Sequence, residues 1–420
     1  MSTNVPVSFW QRYRRLPSNI LALSLISLLN DASSEIIYPL LPFFLVATLG
    51  ATPAAIGLIE GAAESVSGLL KLFAGYWSDR VGRRKNLVVF GYLLASGVRP
   101  LLGFAGNWHQ VLAIRLTDRV GKGIRTAPRD AMIADSVGAE ERGLAFGFHR
   151  AMDHTGAIIG PLLGLLCLLL IAADPNNPTL NDYTKVFLIA SIPAFLAVLV
   201  AVFLVREPSR KREASAATIS KPLRLSLKGF DGNFRRFLVV IALFTLSNSS
   251  DAFLLLRASE LGVSTATIPL LWAALHGSKV LSSLVGGDLS DRAGRRRLIV
   301  SGWLVYAAVY AGFAFATSAG MVWGLFVVYG VYFGLVEGAE KALVADLVRS
   351  DQRGTAFGLY NLALSITVFP ASLVMGAVWQ WRGAKTAFLM SAVIGIAAAL
   401  LFVLMVKTDA SRQKLVPTGK

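Results

Sequence analysis

The chain has 420 residues, 55% of them hydrophobic and 16% charged, with a formal net charge of +16. A soluble domain of that length has no interior large enough for so much apolar surface, so lipid is the solvent for most of it. The positive excess does not point to nucleic acid: Lys and Arg gather in short segments between apolar runs, with no aromatic-basic recognition module, which is the positive-inside pattern of a membrane protein.

Arg12, Arg14 and Arg15 precede the first apolar run, and no cleavable signal peptide is evident. From there, apolar runs of roughly 20 residues recur, enough for a helix to cross a bilayer. They predict spans near 18–47, 53–77, 86–106, 109–134, 143–173 and 185–205. A second set lies near 233–258, 266–289, 297–318, 321–345, 354–380 and 384–406. The runs are too long and too continuously apolar for barrel strands, so the expected fold is an all-α membrane protein. The lone cysteine, Cys167, falls inside a run and excludes a disulfide framework. The longest polar stretch, 206–232, holds Arg206, Arg210, Lys211, Arg212, Lys221, Arg224 and Lys228, and divides the chain into bundles 1–205 and 233–420. The segments at 78–85 and 290–297 are also basic, whereas 48–52, 107–108, 174–184 and 319–320 carry no Lys or Arg. Both termini and the linker are therefore expected in the cytoplasm.

The two sets are repeats. Gly75, Asp79, Arg80, Gly82, Arg83 and Arg84 recur as Gly287, Asp291, Arg292, Gly294, Arg295 and Arg296 at identical spacing. Asp135, Arg142 and Gly143 recur as Asp346, Arg353 and Gly354. Twelve spans in two homologous six-helix bundles are a transporter architecture. Glycine permits the tight turn, and the Asp can accept hydrogen bonds from a helix end or an Arg.

With both copies of G-x-x-x-D-R-x-G-R-[RK] in place, the chain resembles the major facilitator superfamily of secondary carriers over essentially its whole length. Arg115 stands twenty residues before Asp135, as the family's fourth-span Arg does, although Arg119 and Lys122 replace small residues. Gly156, Gly160, Pro161 and Gly164 resemble the fifth-span motif of drug/proton antiporters, with Leu165 in place of its final Gly. The resemblance implies rocking halves around a central cavity. It makes Gly75, Asp79, Arg80, Gly82, Arg83, Asp135, Gly287, Asp291, Arg292, Gly294 and Arg295 candidates for gating.

A charge at mid-bilayer normally faces a cavity or a partner. Asp31 lies near the middle of span one, with Glu35 one turn on. Glu60, Glu64 and Lys71 share a face of span two, and Arg99 interrupts span three. Span four carries Arg115, Asp118, Arg119, Lys122, Arg125 and Arg129 on an arc of roughly 120°. Span five opens with His149, Arg150, Asp153 and His154. The cationic stripe aligns with Phe326, Gly330, Phe333, Val336 and Glu340, so it belongs to one half only. Two roles compete for these groups: ion pairs that hold the first bundle together, and a surplus that binds an anion while an acid carries a proton.

The candidates for proton coupling are Asp31, Glu35, Glu60, Glu64, Asp153 and His154. Those for substrate binding are Arg115, Asp118, Arg119, Lys122, Arg125, Asp251, His276, Lys279, Tyr329 and Tyr360. Trp272, Tyr332 and Phe333 complete an aromatic wall. The expected function is proton-coupled carriage of a small organic anion or zwitterion by a monomer in the cytoplasmic membrane, without a cofactor or resident metal. The rival readings are amphipathic-drug efflux and metal-chelate transport. From another class, a membrane enzyme or sensor finds no nucleotide loop, nucleophile constellation or appended domain in support.

Overall fold

The structure is a computed structural model; it describes residues 16–81, 83–138, 141–208, 227–349 and 352–406. Within them all the regular structure is helical. The first half comprises α1 (Ser18–Ile37, prolonged by a short helix and a wide turn to Thr48), α2 (Pro53–Val81) and α3 (Arg84–Val98, tightened into a 3₁₀ turn over Arg99–Phe104). It continues with α4 (Trp108–Asp135), α5 (Arg142–Ile171) and α6 (Leu180–Phe203). The second half comprises α7 (Gly232–Ser247 and Ala252–Glu260, broken at 248–251), α8 (Ile268–Ala293), α9 (Arg295–Phe315) and α10 (Ala319–Asp346). The stretch Arg353–Met405 folds at Gly383, where φ is +81°, into α11 (353–382) and α12 (384–405). A positive φ is one that glycine adopts without strain, and this one turns the chain back.

Among the described residues eight helical stretches are long and apolar enough to span a bilayer, the last holding both α11 and α12. Helices α2, α4 and α8 are not among them; with these three the helices number twelve, as the repeat predicts. Cap chemistry repeats too. Asn107 accepts from the Gln110 amide at 3.1 Å to start α4, and Ser318 accepts from the Met321 amide at 3.4 Å to start α10. Each satisfies one of the amides that a helix start leaves unpaired.

Packing follows the same repeat: α4 lies on α2 and α3, as α10 lies on α8 and α9. The halves meet where α2 packs against α11 and α5 against α8. Their interiors differ. The first is crossed by ion pairs between α2, α3 and α4. The second is aromatic: Phe244 stacks on Trp303 with centroids 4.2 Å apart, and Tyr306, Tyr310, Tyr329 and Tyr332 continue the cluster.

Candidate functional site

The ends of the bundle are distinguished by their loops. One end carries the basic segments near Arg84 and Arg295; the other carries the uncharged turns that start α4 and α10. At the uncharged end the halves touch through backbone. A Cβ on Gly61 would lie 3.0 Å from the Phe369 carbonyl oxygen, and one on Gly376 would lie 3.0 Å from Ala54 Cα. One on Gly57 would collide with the carbonyl of Ser372. Small residues four apart let membrane helices approach this closely. Hydrogen bonds complete the closure: Ser65 donates to the Ser365 carbonyl at 2.5 Å, and Trp272 Nε1 donates to Glu35 at 2.7 Å.

Below this seal a cavity of about 690 Å³ extends between the halves toward the basic-loop end. Its first-half wall includes Glu64, Lys71 and Lys122. Its second-half wall includes Phe244, Tyr332, Phe333, Glu337, Glu340 and Tyr360.

Most of the span-four charges are committed elsewhere. Arg115 grips Glu60 with both nitrogens, at 3.1, 2.8 and 2.9 Å, and both side chains are buried. Arg99 donates to Asp118 at 3.0 Å and also holds Asn30 and Ser33 on α1. Arg119 reaches Glu64 at 3.1 Å. Arg125 lies 4.3 Å from the Tyr92 ring centroid, where a cation is attracted to the π-face. Arg129 bonds Asp130 at 3.0 Å and Ser27 at 2.8 Å. Lys122 is the exception: among the described residues it makes no hydrogen bond or close ion pair, its acidic neighbours Glu64 and Asp31 stand farther off, and it faces the cavity.

The other predicted residues fall into separate groups. Asp31 accepts one bond from the Asn30 amide at 3.0 Å. Asp153 sits 3.7 Å from both His149 and Arg150, with half-buried His154 beside it on α5. Asp251, at the break in α7, accepts from the Tyr329 hydroxyl at 2.8 Å and has Lys279 at 3.7 Å. His276 Nε2 is buried without a hydrogen bond. Of the predicted substrate residues, Lys122 and Tyr360 line this cavity; Arg115, Asp118, Arg119 and Arg125 stand behind it in the pairs above, and Tyr329 is buried among aromatics. The span-five glycines press on α1 instead: a Cβ on Gly156 would meet the Leu28 carbonyl at 2.6 Å, and one on Gly160 that of Ala32 at the same distance.

At the basic-loop end the arginine that pairs with Asp135 is Arg84, the first residue of α3, whereas exposed Arg83 precedes the helix. In the second half Arg295, the first residue of α9, pairs with Asp346. The sequence repeat aligned Arg83 with Arg295. The first-half turn is one residue longer, so the structural equivalents are Arg84 and Arg295. Glu207, at the start of the linker, accepts from the amides of Arg84 and Lys85 at 3.0 and 2.7 Å, a favourable place for an anion. Gly75 approaches Ala127 on α4, and Gly294 has φ +87°. Gly82 and the side chains of Asp79, Arg80, Asp291 and Arg292 lie outside the described residues, as does the side-chain environment at Gly287.

Sequence reasoning noted Glu340 but gave it no role in the site; Trp303 Nε1 and the Tyr360 hydroxyl contact it at 3.0 and 2.8 Å. Its alignment with Arg129 was the available signal. It also passed over Gly57, Gly61 and Gly376, although the first two stand at the small-x-x-x-small spacing. Every ion pair between described residues stays within one half.

A family model described as Major Facilitator Superfamily matches residues 23–366 and 237–420. An uncharacterised MFS-type transporter of Methanocaldococcus jannaschii is 36% identical over 394 residues, covering 92% of this chain and 95% of that one. Sugar efflux transporter A of Escherichia coli is 25% identical, covering 92% and 96%. In fold the chain is similar to a bacterial homologue of the human lysosomal transporter Spinster, solved inward-facing and occupied, with TM-score 0.74, 19% identity and coverage of 92% and 96%.

Proposed function

Because the chain belongs to the major facilitator superfamily of membrane transporters, we propose that it carries a small organic anion or zwitterion by alternating access, coupled to protons. The observation that carries the reading is Lys122. The neighbouring arginines of α4 are spent on Glu60, Glu64, Tyr92 and Asp130, and this amine alone of the stripe turns to the cavity unpaired. A desolvated ammonium group without a partner is costly, and a carboxylate or phosphate on the solute supplies one. The cavity opens toward the basic-loop end, which the positive-inside rule assigns to the cytoplasm. Solute enters there, and rocking of the halves parts the glycine seal on the other side.

The test is binding to purified protein of a panel of small mono- and dicarboxylates. Lys122→Ala is expected to weaken the best of them about tenfold or more, the value of one charged hydrogen bond, with thermal stability nearly unchanged. Unchanged affinity across the panel sinks the anion site.

Asp31 is assigned the coupling proton. Glu60, Glu64 and Asp118 each have an arginine within reach, whereas Asp31 is bonded by a neutral amide, has Lys122 and Arg129 only farther off, and sits near mid-membrane. Fixed ion pairs keep carboxylates charged; a carboxyl group without one is free to cycle. In proteoliposomes Asp31→Asn should reduce pH-driven accumulation to the level of passive equilibration, while counterflow exchange persists. Full gradient-driven accumulation by Asp31→Asn removes it as the carrier.

A further inference from the structure

We propose that Glu340 is a second, oppositely charged pole of the same cavity, so that the preferred solute is a zwitterion: an ammonium group and a carboxylate separated by a short hydrocarbon chain. The inference rests on the Lys122 reading and extends it.

Glu340 lines the cavity from α10 and is buried. Among the described residues no cation pairs with it. Its partners are neutral donors, one on each oxygen: Trp303 Nε1 at 3.0 Å on Oε1 and the Tyr360 hydroxyl at 2.8 Å on Oε2. A carboxylate has about four acceptor positions, so two remain. The other acids on the cavity wall are already balanced, Glu337 by Lys341 at 2.8 Å and Glu64 by Arg119 at 3.1 Å. Two kinds of charge are left without a close counter-ion among the described residues, Lys122 with Lys71 on the first half and Glu340 on the second.

A buried charge without a counter-ion is expensive. A simple anion would neutralise Lys122 and leave Glu340 alone, and a simple cation would do the reverse. A zwitterion compensates both. Phe244, Tyr332 and Phe333 on the same lining suit a methylene spacer.

A role for Glu340 confined to tying α9, α10 and α11 together through Trp303 and Tyr360 predicts no ligand selectivity. Full-length protein is therefore titrated with ω-amino acids of increasing chain length, and with alkanoates and alkylamines matched to each. The expected result is that the best ω-amino acid binds about tenfold or more tightly than its alkanoate. Glu340→Gln should erase that advantage while retaining alkanoate binding. Glu340→Asp should keep it and move the optimum to the next longer chain, because the carboxylate is drawn back by one methylene. Equal affinity for amino acid and alkanoate in the wild type, both lost in Lys122→Ala, overturns the second pole and leaves an anion carrier. If neither class responds to Lys122→Ala, the carrier reading falls first and the second pole with it. Should Glu340→Gln not fold, the wild type and Glu340→Asp carry the comparison, and an unshifted optimum overturns the proposal.

Discussion

Glu60→Ala is expected to destabilise the protein by about 3–5 kcal/mol, the cost of leaving one partner of a buried ion pair uncompensated. Arg115 would remain in the first bundle with its guanidinium buried and its two-pronged acceptor gone. A further neighbour, the Tyr38 ring at 5.8 Å, is a weak substitute. Thermal unfolding in detergent, followed by loss of the monodisperse peak, reads the effect. The double variant Glu60→Met with Arg115→Met should recover most of the loss, because a well-packed apolar pair often replaces a buried ion pair at little cost. This separates two roles for Glu60. If it cycled a proton, Glu60→Ala would fold normally and fail only in coupling. Wild-type thermal stability in Glu60→Ala would contradict the structural assignment.

The second large effect is expected at the seal. Gly61→Val or Gly376→Val places carbon where backbone of the other half already stands. Helices cannot absorb that overlap by moving side chains, since the obstructing atoms include Phe369 O, Pro53 O and Ala54 Cα. Overpacking of this kind costs about 1–3 kcal/mol. Set against an equilibrium between two conformations, that shifts the population about 5- to 150-fold away from the state closed at the uncharged end. Spin labels on the outer ends of α2 and α11 should report longer distances, and turnover should fall. Gly338, whose Cβ would meet nothing within 4 Å, is the control: alanine there should leave both quantities alone. A distance distribution in Gly376→Val that matches the wild type would refute the seal.

The fold was legible because its signals are coarse. Apolar runs, basic loops and a repeated loop motif depend on solvent and on duplication, and they predict the twelve spans to within a few residues. Even so, the one-residue difference before α3 escaped, since glycine and arginine spacing alone aligns Arg83 with Arg295, whereas helix starts align Arg84 with it. The site was less legible. Composition shows that span four is cationic but does not say which cation is left over, because that depends on which acids α2 and α3 bring within reach. Glu60 and Glu64 share a face one turn apart, and each meets the arginine opposite it; Lys122, lying beyond them, meets none. Glu340 looked unremarkable beside Glu337 and Lys341 until its neutral partners on α9 and α11 came together. The glycines of α2 and α11 acquire meaning only when paired across the halves, and no periodicity within one helix reveals a contact that another helix makes.

The confinement of the described ion pairs to single halves has a kinetic consequence. Separating a buried pair would cost about 3–5 kcal/mol each time, and several such pairs across the interface would slow every conversion by orders of magnitude. Among the described residues each bundle keeps its close ion pairs internal, and what must part between them at the uncharged end is backbone contact and a few hydrogen bonds. Added salt, which hardly screens buried pairs, should therefore leave both the strength of each bundle and the pace at which one moves against the other nearly unchanged.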